Sequence, residues 1–192
     1  MIRAVIFDCF GVLAGTGIWN VYERAGGDKV EDAGFLDEVF DAANLGQITK
    51  LQATEKVADK LGISPEQWQQ YVDEDETPNE DVFEYIRSIK SKYKIGLLSN
   101  ASAGMPGRHF TDEQINLFDA VIVSGEVGLI KPDPKIFRLA AEKLGVKPEE
   151  ALFTDDHTKY LEGARQIGMH IHQFTTINKL KSAIDELMGS ET

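Results

Sequence analysis

Short apolar runs rich in β-branched residues recur along the chain and predict strands that are covered on both faces. The first run covers residues 2–7 and ends at Asp8. Four more runs follow, the last with mixed polarity: residues 95–98, 120–123, 151–154 and 170–174. Apolar residues at helical spacing lie between and after these runs: 80–92, 136–144, 161–167 and 177–188. Strands alternating with helices of this length predict right-handed crossovers and a three-layer α/β fold around a parallel sheet.

The segment between residues 18 and 76 has a different pattern, because its apolar residues follow helical spacing throughout and no strand pattern interrupts it. Residues 35–43 and 49–61 predict two helices, and Ser64-Pro65-Glu66-Gln67 has the form of a capping box that opens a third. The sequence therefore predicts an all-helical insertion at 15–78 between two parts of the core, 1–14 and 79–192. We interpret the acidic run 73–76 as a solvated hinge where the chain returns to the core.

Composition narrows the functional classes. With 192 residues, the chain has room for one well-buried core and a modest insertion. Acidic residues exceed basic ones by 32 to 20, which disfavours nucleic acid and anionic membranes as partners. Cys9 is the one cysteine, and the N-terminal apolar stretch is too short for a signal peptide. We therefore expect a cytoplasmic protein, either a monomer or a homodimer, with Cys9 used for packing.

Chemically useful residues follow the ends of four predicted strands: Asp8, Ser99-Asn100, Lys131 and Asp155-Asp156. The carboxyl ends of parallel strands meet at one edge of a sheet, so these residues are expected to lie together. Carboxylates can hold Mg²⁺, while a lysine and a hydroxyl neutralise and orient phosphoryl oxygens. An aspartate in such a site can attack phosphorus directly and form an aspartyl phosphate.

Four motifs in this order resemble the haloacid dehalogenase superfamily. They are Phe7-Asp8-Cys9-Phe10-Gly11-Val12-Leu13, Leu98-Ser99-Asn100, Lys131-Pro132-Asp133-Pro134 and Phe153-Thr154-Asp155-Asp156. The resemblance implies a Rossmann-like core, with the helical insertion serving as a cap of the family's first type. It identifies the chain as similar to the phosphatase-like branch, with a small phosphorylated metabolite as substrate.

The resemblance also implies a role for each residue. Asp8 would be the nucleophile and a metal ligand, and Phe10 would offer its backbone carbonyl to Mg²⁺. Asp156 would ligate the ion with support from Asp155. Ser99 and Asn100 would bind the transferring group, and Lys131 would balance its charge.

Phe10 departs from the phosphatase pattern, because phosphatases of this family usually carry a second aspartate there as general acid and base. Such assistance is worth about 10²–10⁴-fold, so a phosphatase without it would be slow on poor leaving groups. His157 and His109 are conceivable substitutes. Trp19, Tyr22 and Trp68 are candidates for lining the substrate pocket, although packing in the core of the cap is the preferred explanation for each.

Two alternatives to the phosphatase hypothesis stay open. The dehalogenase branch also has an aromatic residue two places after its nucleophile, which would suit a metal-independent 2-haloacid dehalogenase. The adjacent carboxylates Asp155 and Asp156 disfavour it, because facing Asp8 they would repel one another without a cation. A weakly active or inactive homologue that binds a phosphometabolite or a protein is the second alternative. The preferred hypothesis is hydrolysis of a small phosphate monoester, either a sugar phosphate or one with a good leaving group.

Overall fold

A single parallel sheet of five strands forms the centre of the computed structural model, which describes residues 1–75 and 77–189. The strands are β1 (Ala4–Phe7), β2 (Lys94–Ser99), β3 (Ala120–Val123), β4 (Ala151–Asp155) and β5 (His170–Gln173). Their order across the sheet is β3-β2-β1-β4-β5, with every neighbouring pair parallel. The first strand is central and fully buried, as its continuous apolar run predicts.

Helices connect and cover the strands. They are α1 (Ile18–Arg24), α2 (Ala33–Asn44), α3 (Lys50–Leu61), α4 (Pro65–Asp75), α5 (Glu80–Ile89), α6 (Pro106–His109), α7 (Asp112–Ile115), α8 (Ser124–Val127), α9 (Pro134–Leu144), α10 (Thr158–Arg165) and α11 (Ile177–Gly189). A short 3₁₀ turn, Pro148–Glu150, precedes β4. None of the helices in residues 1–75 and 77–189 has the length and apolar character that crossing a bilayer demands.

Alternation along the strands divides the apolar side chains between the two faces of the sheet. Val5 and Phe7 of β1 belong to a hydrophobic cluster that α5 and α11 cover. Ala4 and Ile6 point the other way, into a cluster that α9 and α10 cover. The predicted three-layer α/β fold is therefore confirmed, and the carboxyl ends of the strands stay open at one edge of the sheet.

Helices α1 to α4 share a third hydrophobic cluster, separate from the two that cover the sheet. Tyr22 is completely buried in it, and its hydroxyl donates a hydrogen bond to Asp32. The predicted capping box at the start of α4 is confirmed, since Ser64 and Gln67 exchange hydrogen bonds with each other's backbone N–H groups. The chain thus folds its helical insertion around a small core of its own. The bounds 15–78 for the cap stay a prediction.

Asp75 joins the two segments that run between the sheet and the helical insertion. Its carboxylate accepts hydrogen bonds from the backbone and hydroxyl of Thr16, at 2.8 and 2.7 Å, and from Arg24 at 2.7 Å. A Cβ on Gly15 would lie 2.5 Å from an oxygen of Asp75, so only glycine allows this approach. The description of 73–76 as a solvated hinge is wrong for Asp75, which is buried because it ties the crossing together. Glu76 lies outside the described residues.

We predict that Asp75→Ala lowers the free energy of unfolding by about 2–4 kcal/mol, because hydrogen bonds to a charged group each contribute about 1.5–3 kcal/mol. Asp73→Ala is the matched control, since Asp73 lies exposed on the same helix. The control should change stability by no more than about 0.5 kcal/mol. Urea denaturation followed by circular dichroism measures both, and equal effects of the two substitutions would contradict the role given to Asp75.

Candidate active site

Three carboxylates meet at the open edge of the sheet. Asp8 follows β1, and its backbone N–H donates a hydrogen bond to the carbonyl of Thr154 at 2.9 Å in the neighbouring strand β4. This pairing places Asp8 beside Asp155 and Asp156. One oxygen from each of these side chains lies within 4.8 Å of the other two. The structure thus brings together residues that are about 150 positions apart in the sequence, as the parallel-sheet argument predicts.

Lys131 lies inside this cluster with about 1% of its side chain exposed. Its Nζ is 2.7 Å from Oδ1 of Asp8 and 2.7 Å from Oδ2 of Asp155. The ammonium also lies over two aromatic rings, 4.6 Å from the centre of Tyr160 and 5.4 Å from that of Phe153. Lys131 therefore holds the two buried aspartates together and is itself fixed by four groups.

The three aspartates are not equivalent. Asp155 uses both of its oxygens inside the protein, because Oδ2 accepts from Lys131 and Oδ1 accepts from the backbone N–H of His157 at 2.8 Å. Asp8 uses Oδ1 for Lys131, which leaves Oδ2 for another partner. Asp156 is less buried than the other two and faces the cavity described below. The geometry therefore suits Asp155 for positioning Lys131, and Asp8 and Asp156 for binding an external cation.

Burial and mutual repulsion shift the titration of this group. Burial raises the pKa of Asp8 to about 8; the negative charges of Asp155 and Asp156 add to the rise, and Lys131 opposes it. Burial and Asp155 likewise raise the pKa of Asp156 to about 6. Burial lowers the pKa of Lys131, but the attraction of Asp155 and Asp8 outweighs it and holds that pKa above its usual value. One lysine does not neutralise three carboxylates, so the site favours a further cation.

Two glycines with positive φ leave space around the carboxylate of Asp156. A Cβ on Gly11 would lie 2.6 Å from Cγ of Asp156, which excludes any side chain at that position. A Cβ on Gly17 would lie 3.9 Å from Oδ2 of Asp156 and equally 3.9 Å from the carbonyl oxygen of Phe10. The backbone oxygen of Phe10 and the carboxylate of Asp156 therefore border the same small space.

Ser99 is the last residue of β2 and Asn100 follows it, and both border the same cavity as Asp8 and Asp156. The Oγ of Ser99 is buried and has no hydrogen-bond partner within the described residues, so a polar group is available to an incoming ligand. The side chain of Asn100 instead binds the backbone of Lys131, accepting from its N–H at 2.8 Å and donating to its carbonyl at 3.0 Å. Asn100 thus fixes the loop that carries the lysine, and its binding to a substrate stays a prediction.

A cavity of about 310 Å³ opens onto these residues. The core side contributes Asp8, Ser99, Lys131 and Asp156, and the helical insertion contributes a facing wall that includes Trp19, Lys29, Phe40 and Asp41. Sequence reasoning named Trp19 but missed Asp41 and Tyr160. The spacing of Asp37 and Asp41 along one face of α2 was the available signal for Asp41. Tyr160 lies four residues after Asp156, in the first turn of α10, and it lines the cavity.

The two histidines considered as substitutes for the missing acid and base occupy different places. His157 lines the cavity and lies between Trp19 and Tyr160, with ring centres 5.9 and 5.4 Å away. His109 packs edge-on against Phe10 at 5.6 Å, and burial lowers its pKa. Phe10 itself lines the cavity with its ring. Tyr22 is buried within the core of the insertion and lines neither this cavity nor its neighbour.

Comparison with known proteins identifies the family. A model of the haloacid dehalogenase-like hydrolases matches residues 2–168. The chain belongs to this family. This haloacid dehalogenase-like hydrolase therefore has the superfamily and enzyme class that its four motifs predict.

Individual curated relatives match this chain over a short stretch or at low sequence identity. Glyceraldehyde 3-phosphate phosphatase from Methanopyrus kandleri is 49% identical over 55 residues, which are 28% of this chain and 24% of the relative. Bifunctional epoxide hydrolase 2 from Sus scrofa is 28% identical over 196 residues, covering 88% of this chain and 35% of the relative. The hydrolase thus matches about a quarter to a third of the length of these curated relatives.

A solved structure of a haloacid dehalogenase family enzyme from Bacteroides thetaiotaomicron, in complex with magnesium and inorganic phosphate, superposes on the hydrolase with a TM-score of 0.66. The two are 23% identical, and the match covers 91% of this chain and 95% of the other. This likeness shows the shared fold.

The residues fit a magnesium ion on three structural grounds. The donor set consists of carboxylate oxygens within 4.8 Å of one another, which are the hard ligands that Mg²⁺ prefers. Glycine at position 11 keeps the space beside Asp156 free of any Cβ. The buried Oγ of Ser99 has no hydrogen-bond partner within the described residues and can bind a ligand of the ion or an oxygen of the phosphate.

We predict opposite effects of Asp156→Asn with and without Mg²⁺. The folded protein raises the pKa of Asp156 to about 6, so ionisation of this group opposes folding at any higher pH. At about pH 8 in EDTA, the substitution should therefore raise the melting temperature. The wild type should gain about 2.7 kcal/mol at a hundredfold excess of Mg²⁺ over its Kd, and the variant should gain far less.

Differential scanning fluorimetry across a Mg²⁺ titration gives both readings. Asp73→Asn is the control, because it removes an exposed carboxylate outside the cavity and should respond to Mg²⁺ like the wild type. An equal response of Asp156→Asn and wild type to Mg²⁺ would rule Asp156 out as a ligand.

Proposed function

We propose that this hydrolase cleaves small phosphate monoesters with Mg²⁺, through an aspartyl phosphate formed on Asp8. The observation that carries the proposal is the convergence of three carboxylates within 4.8 Å around one buried lysine. A phosphate can bind beside this excess of negative charge when a divalent cation is bound there as well. The unsatisfied Oγ of Ser99 beside it provides a hydroxyl donor for a phosphoryl oxygen.

Asp8, Asp156 and the backbone carbonyl of Phe10 would hold the metal, and Asp155 would support them through Lys131. When bound, the ion would help to neutralise the charge on the phosphoryl oxygens. Lys131 has a separate task, because its ammonium already binds Oδ1 of Asp8 and keeps that carboxylate oriented. Because Lys131 already binds Oδ1 of Asp8, Oδ2 is the oxygen of that carboxylate that remains open to a ligand.

The reaction divides into two displacements at phosphorus. A carboxylate oxygen of Asp8 forms a bond to phosphorus while the ester P–O bond breaks, and the leaving alkoxide takes a proton from solvent. A water molecule then attacks the phosphorus of the aspartyl phosphate, loses a proton, and releases inorganic phosphate with Asp8 regenerated. Ser99 and Lys131 interact with the charge that accumulates on the phosphoryl group in both steps.

Phe10 sets the character of this chemistry. An aromatic ring stands where an acid would protonate the leaving group, and His109 packs against that ring rather than beside Asp8. The rate should therefore depend strongly on the leaving group, because a less basic alkoxide needs less protonation.

Relatives and chemistry favour phosphate esters over the alternatives. Three of the curated relatives are named as phosphatases and one as an (S)-2-haloacid dehalogenase, and a structural neighbour holds magnesium and inorganic phosphate. Adjacent aspartates at 155 and 156 disfavour the metal-independent dehalogenase, which would be recognised by halide release from 2-haloacids in EDTA. The substrate preference within the phosphate esters, the cytoplasmic location and the choice between monomer and homodimer stay predictions.

Asp8→Asn should abolish phosphate release from p-nitrophenyl phosphate in Mg²⁺, with a loss of at least about a thousandfold, because an amide cannot act as the nucleophile. Phosphate release is followed with a colorimetric assay. Asp112→Asn, an exposed substitution of the same kind, is expected to keep the wild-type rate. Full activity of Asp8→Asn would refute the assignment of the nucleophile. Ligand-induced stabilisation of the wild type without any turnover would favour the binding homologue.

Phe10→Asp should increase kcat for a phosphate ester with a poor leaving group by at least about tenfold, within the 10²–10⁴-fold that general acid–base catalysis supplies. Phe10→Asn is the matched control, since asparagine has nearly the same shape and polarity as aspartic acid but has no carboxyl proton to transfer. Steady-state kinetics on glycerol 3-phosphate compares the two. If Asp and Asn give the same rate in folded protein, the acid is already provided by another group.

A further inference from the structure

A second cavity of about 150 Å³ adjoins the first and has a different chemical character. We call it the apolar chamber. It lies between helices of the insertion and the segment after β2, and its walls are mainly apolar: Phe10, Ile18, Val21, Phe40, Ala43, Ala53, Trp68, Val72, Ala101 and Met105. Trp68 and Met105 are almost completely buried, at 3% and 1% exposure, and form its inner end, whereas Lys50 and Arg108 are exposed where it opens to solvent.

The chamber and the cavity of the active site share part of their lining. Phe10, Ile18, Phe40, Asn44 and Asn100 border both. Phe10, two residues after Asp8, is one of these shared lining residues, and its ring packs against His109 of the chamber. Asn100 borders both cavities, and its neighbour Ser99 lines the cavity of the active site. A ligand that places its phosphate near Asp8 therefore has an apolar space adjacent to its organic part.

Polar residues also line the chamber: Asn44, Lys50, Thr54, Gln69, Asp75, Asn100, Ser102, Arg108 and His109. Several of them are engaged by hydrogen bonds. Asp75 binds Thr16 and Arg24, and Arg108 donates to the carbonyl of Ala103 and the hydroxyl of Ser102. Asn100 binds the backbone of Lys131. These hydrogen bonds reduce the number of groups that could receive the several hydroxyls of a sugar, which would lose their water on entering.

We propose that the apolar chamber binds the leaving group of the substrate, and that this group is a compact hydrocarbon, aromatic or branched, rather than a sugar. The inference rests on the proposed phosphatase function and specifies its substrate class. The chamber has about the volume of an engineered apolar cavity of 150 Å³ that binds benzene in another protein. It therefore holds one six-membered ring, and the phosphate and its ester oxygen extend past Phe10 to Asp8.

The residue at position 10 agrees with this assignment. A carboxylate there would border an apolar chamber and would lose hydration without a partner, whereas a phenyl ring extends the apolar wall to the reacting atoms. His109 completes the wall on the far side, edge-on to Phe10 at 5.6 Å. The same ring that removes the general acid thus adds apolar contact to the leaving group.

The first experiment compares esters whose leaving groups are all primary alcohols, so that basicity of the alkoxide does not decide the outcome. Benzyl phosphate and cyclohexylmethyl phosphate represent apolar groups, and glycerol 3-phosphate and ribose 5-phosphate represent polar ones. Burial of a ring contributes about 1.5–3 kcal/mol, so kcat/KM should favour the apolar esters by about 10- to 100-fold. Phosphate release in Mg²⁺ measures all four.

The second experiment fills the chamber. Ala43→Leu places a larger side chain in its wall, and Ala42→Leu makes the same change at the neighbouring position on α2, which borders neither cavity. Ala43→Leu should lower the ratio of kcat/KM for benzyl phosphate over glycerol 3-phosphate by at least about fivefold, on the scale of a few apolar carbon contacts. Ala42→Leu should leave that ratio unchanged.

A measurement on the wild type does not depend on any variant folding. Benzylphosphonate and methylphosphonate differ by a phenyl group, and neither is hydrolysed by phosphoryl transfer. Benzylphosphonate should inhibit with a Ki about 10- to 100-fold lower. Isothermal calorimetry with Asp8→Asn and benzyl phosphate gives an independent affinity.

The outcomes separate the two proposals. Absence of phosphate release from every ester would contradict the phosphatase function, whereas tighter binding of benzylphosphonate than methylphosphonate would still support the chamber. Efficient hydrolysis with equal kcat/KM for polar and apolar esters would overturn the chamber and leave the phosphatase standing. Equal ratios for Ala43→Leu and Ala42→Leu in folded protein would also overturn it.

Discussion

The buried pair of salt bridges from Lys131 to Asp8 and Asp155, each 2.7 Å long, is the interaction on which the site depends. Two carboxylates in a low-dielectric interior repel one another, and one ammonium between them makes their proximity possible. The sheet and the loops enforce this arrangement. Parallel pairing of β1 with β4 places the aspartates side by side, and Asn100 fixes the backbone of the lysine from β2.

Asp156 is the third carboxylate, and its charge is not covered by that lysine. The raised pKa values of Asp8 and Asp156 describe a site with too much negative charge for its surroundings. A bound divalent cation would relieve this repulsion, so metal affinity and fold stability would be coupled. Gly11 and Gly17 keep the space beside Asp156 open because they have no side chain that could occupy it.

The helical insertion faces the open edge of the sheet, and two cavities of different polarity lie between them. Asp75 anchors it at the crossing, where its carboxylate binds Thr16 and Arg24. The insertion supplies Asp41, Lys29 and Trp19 to the polar cavity and Trp68 and Val72 to the apolar chamber. Phe10 borders both, so in the proposed mechanism one residue of the core would influence both proton transfer and contact with the leaving group.

The sequence by itself determined the sheet, the capping box at Ser64 and the cluster at the strand ends, because periodicity and chain order act locally and parallel strands share one edge. It also determined the family, since four motifs occur in order. Only the tertiary structure decided that Asp75 is buried, that Asn100 binds the lysine loop, that Asp41 and Tyr160 face the site, and that an apolar chamber lies behind Phe10. These facts depend on how the insertion packs against the core, and packing between distant segments leaves no periodic signal in either one.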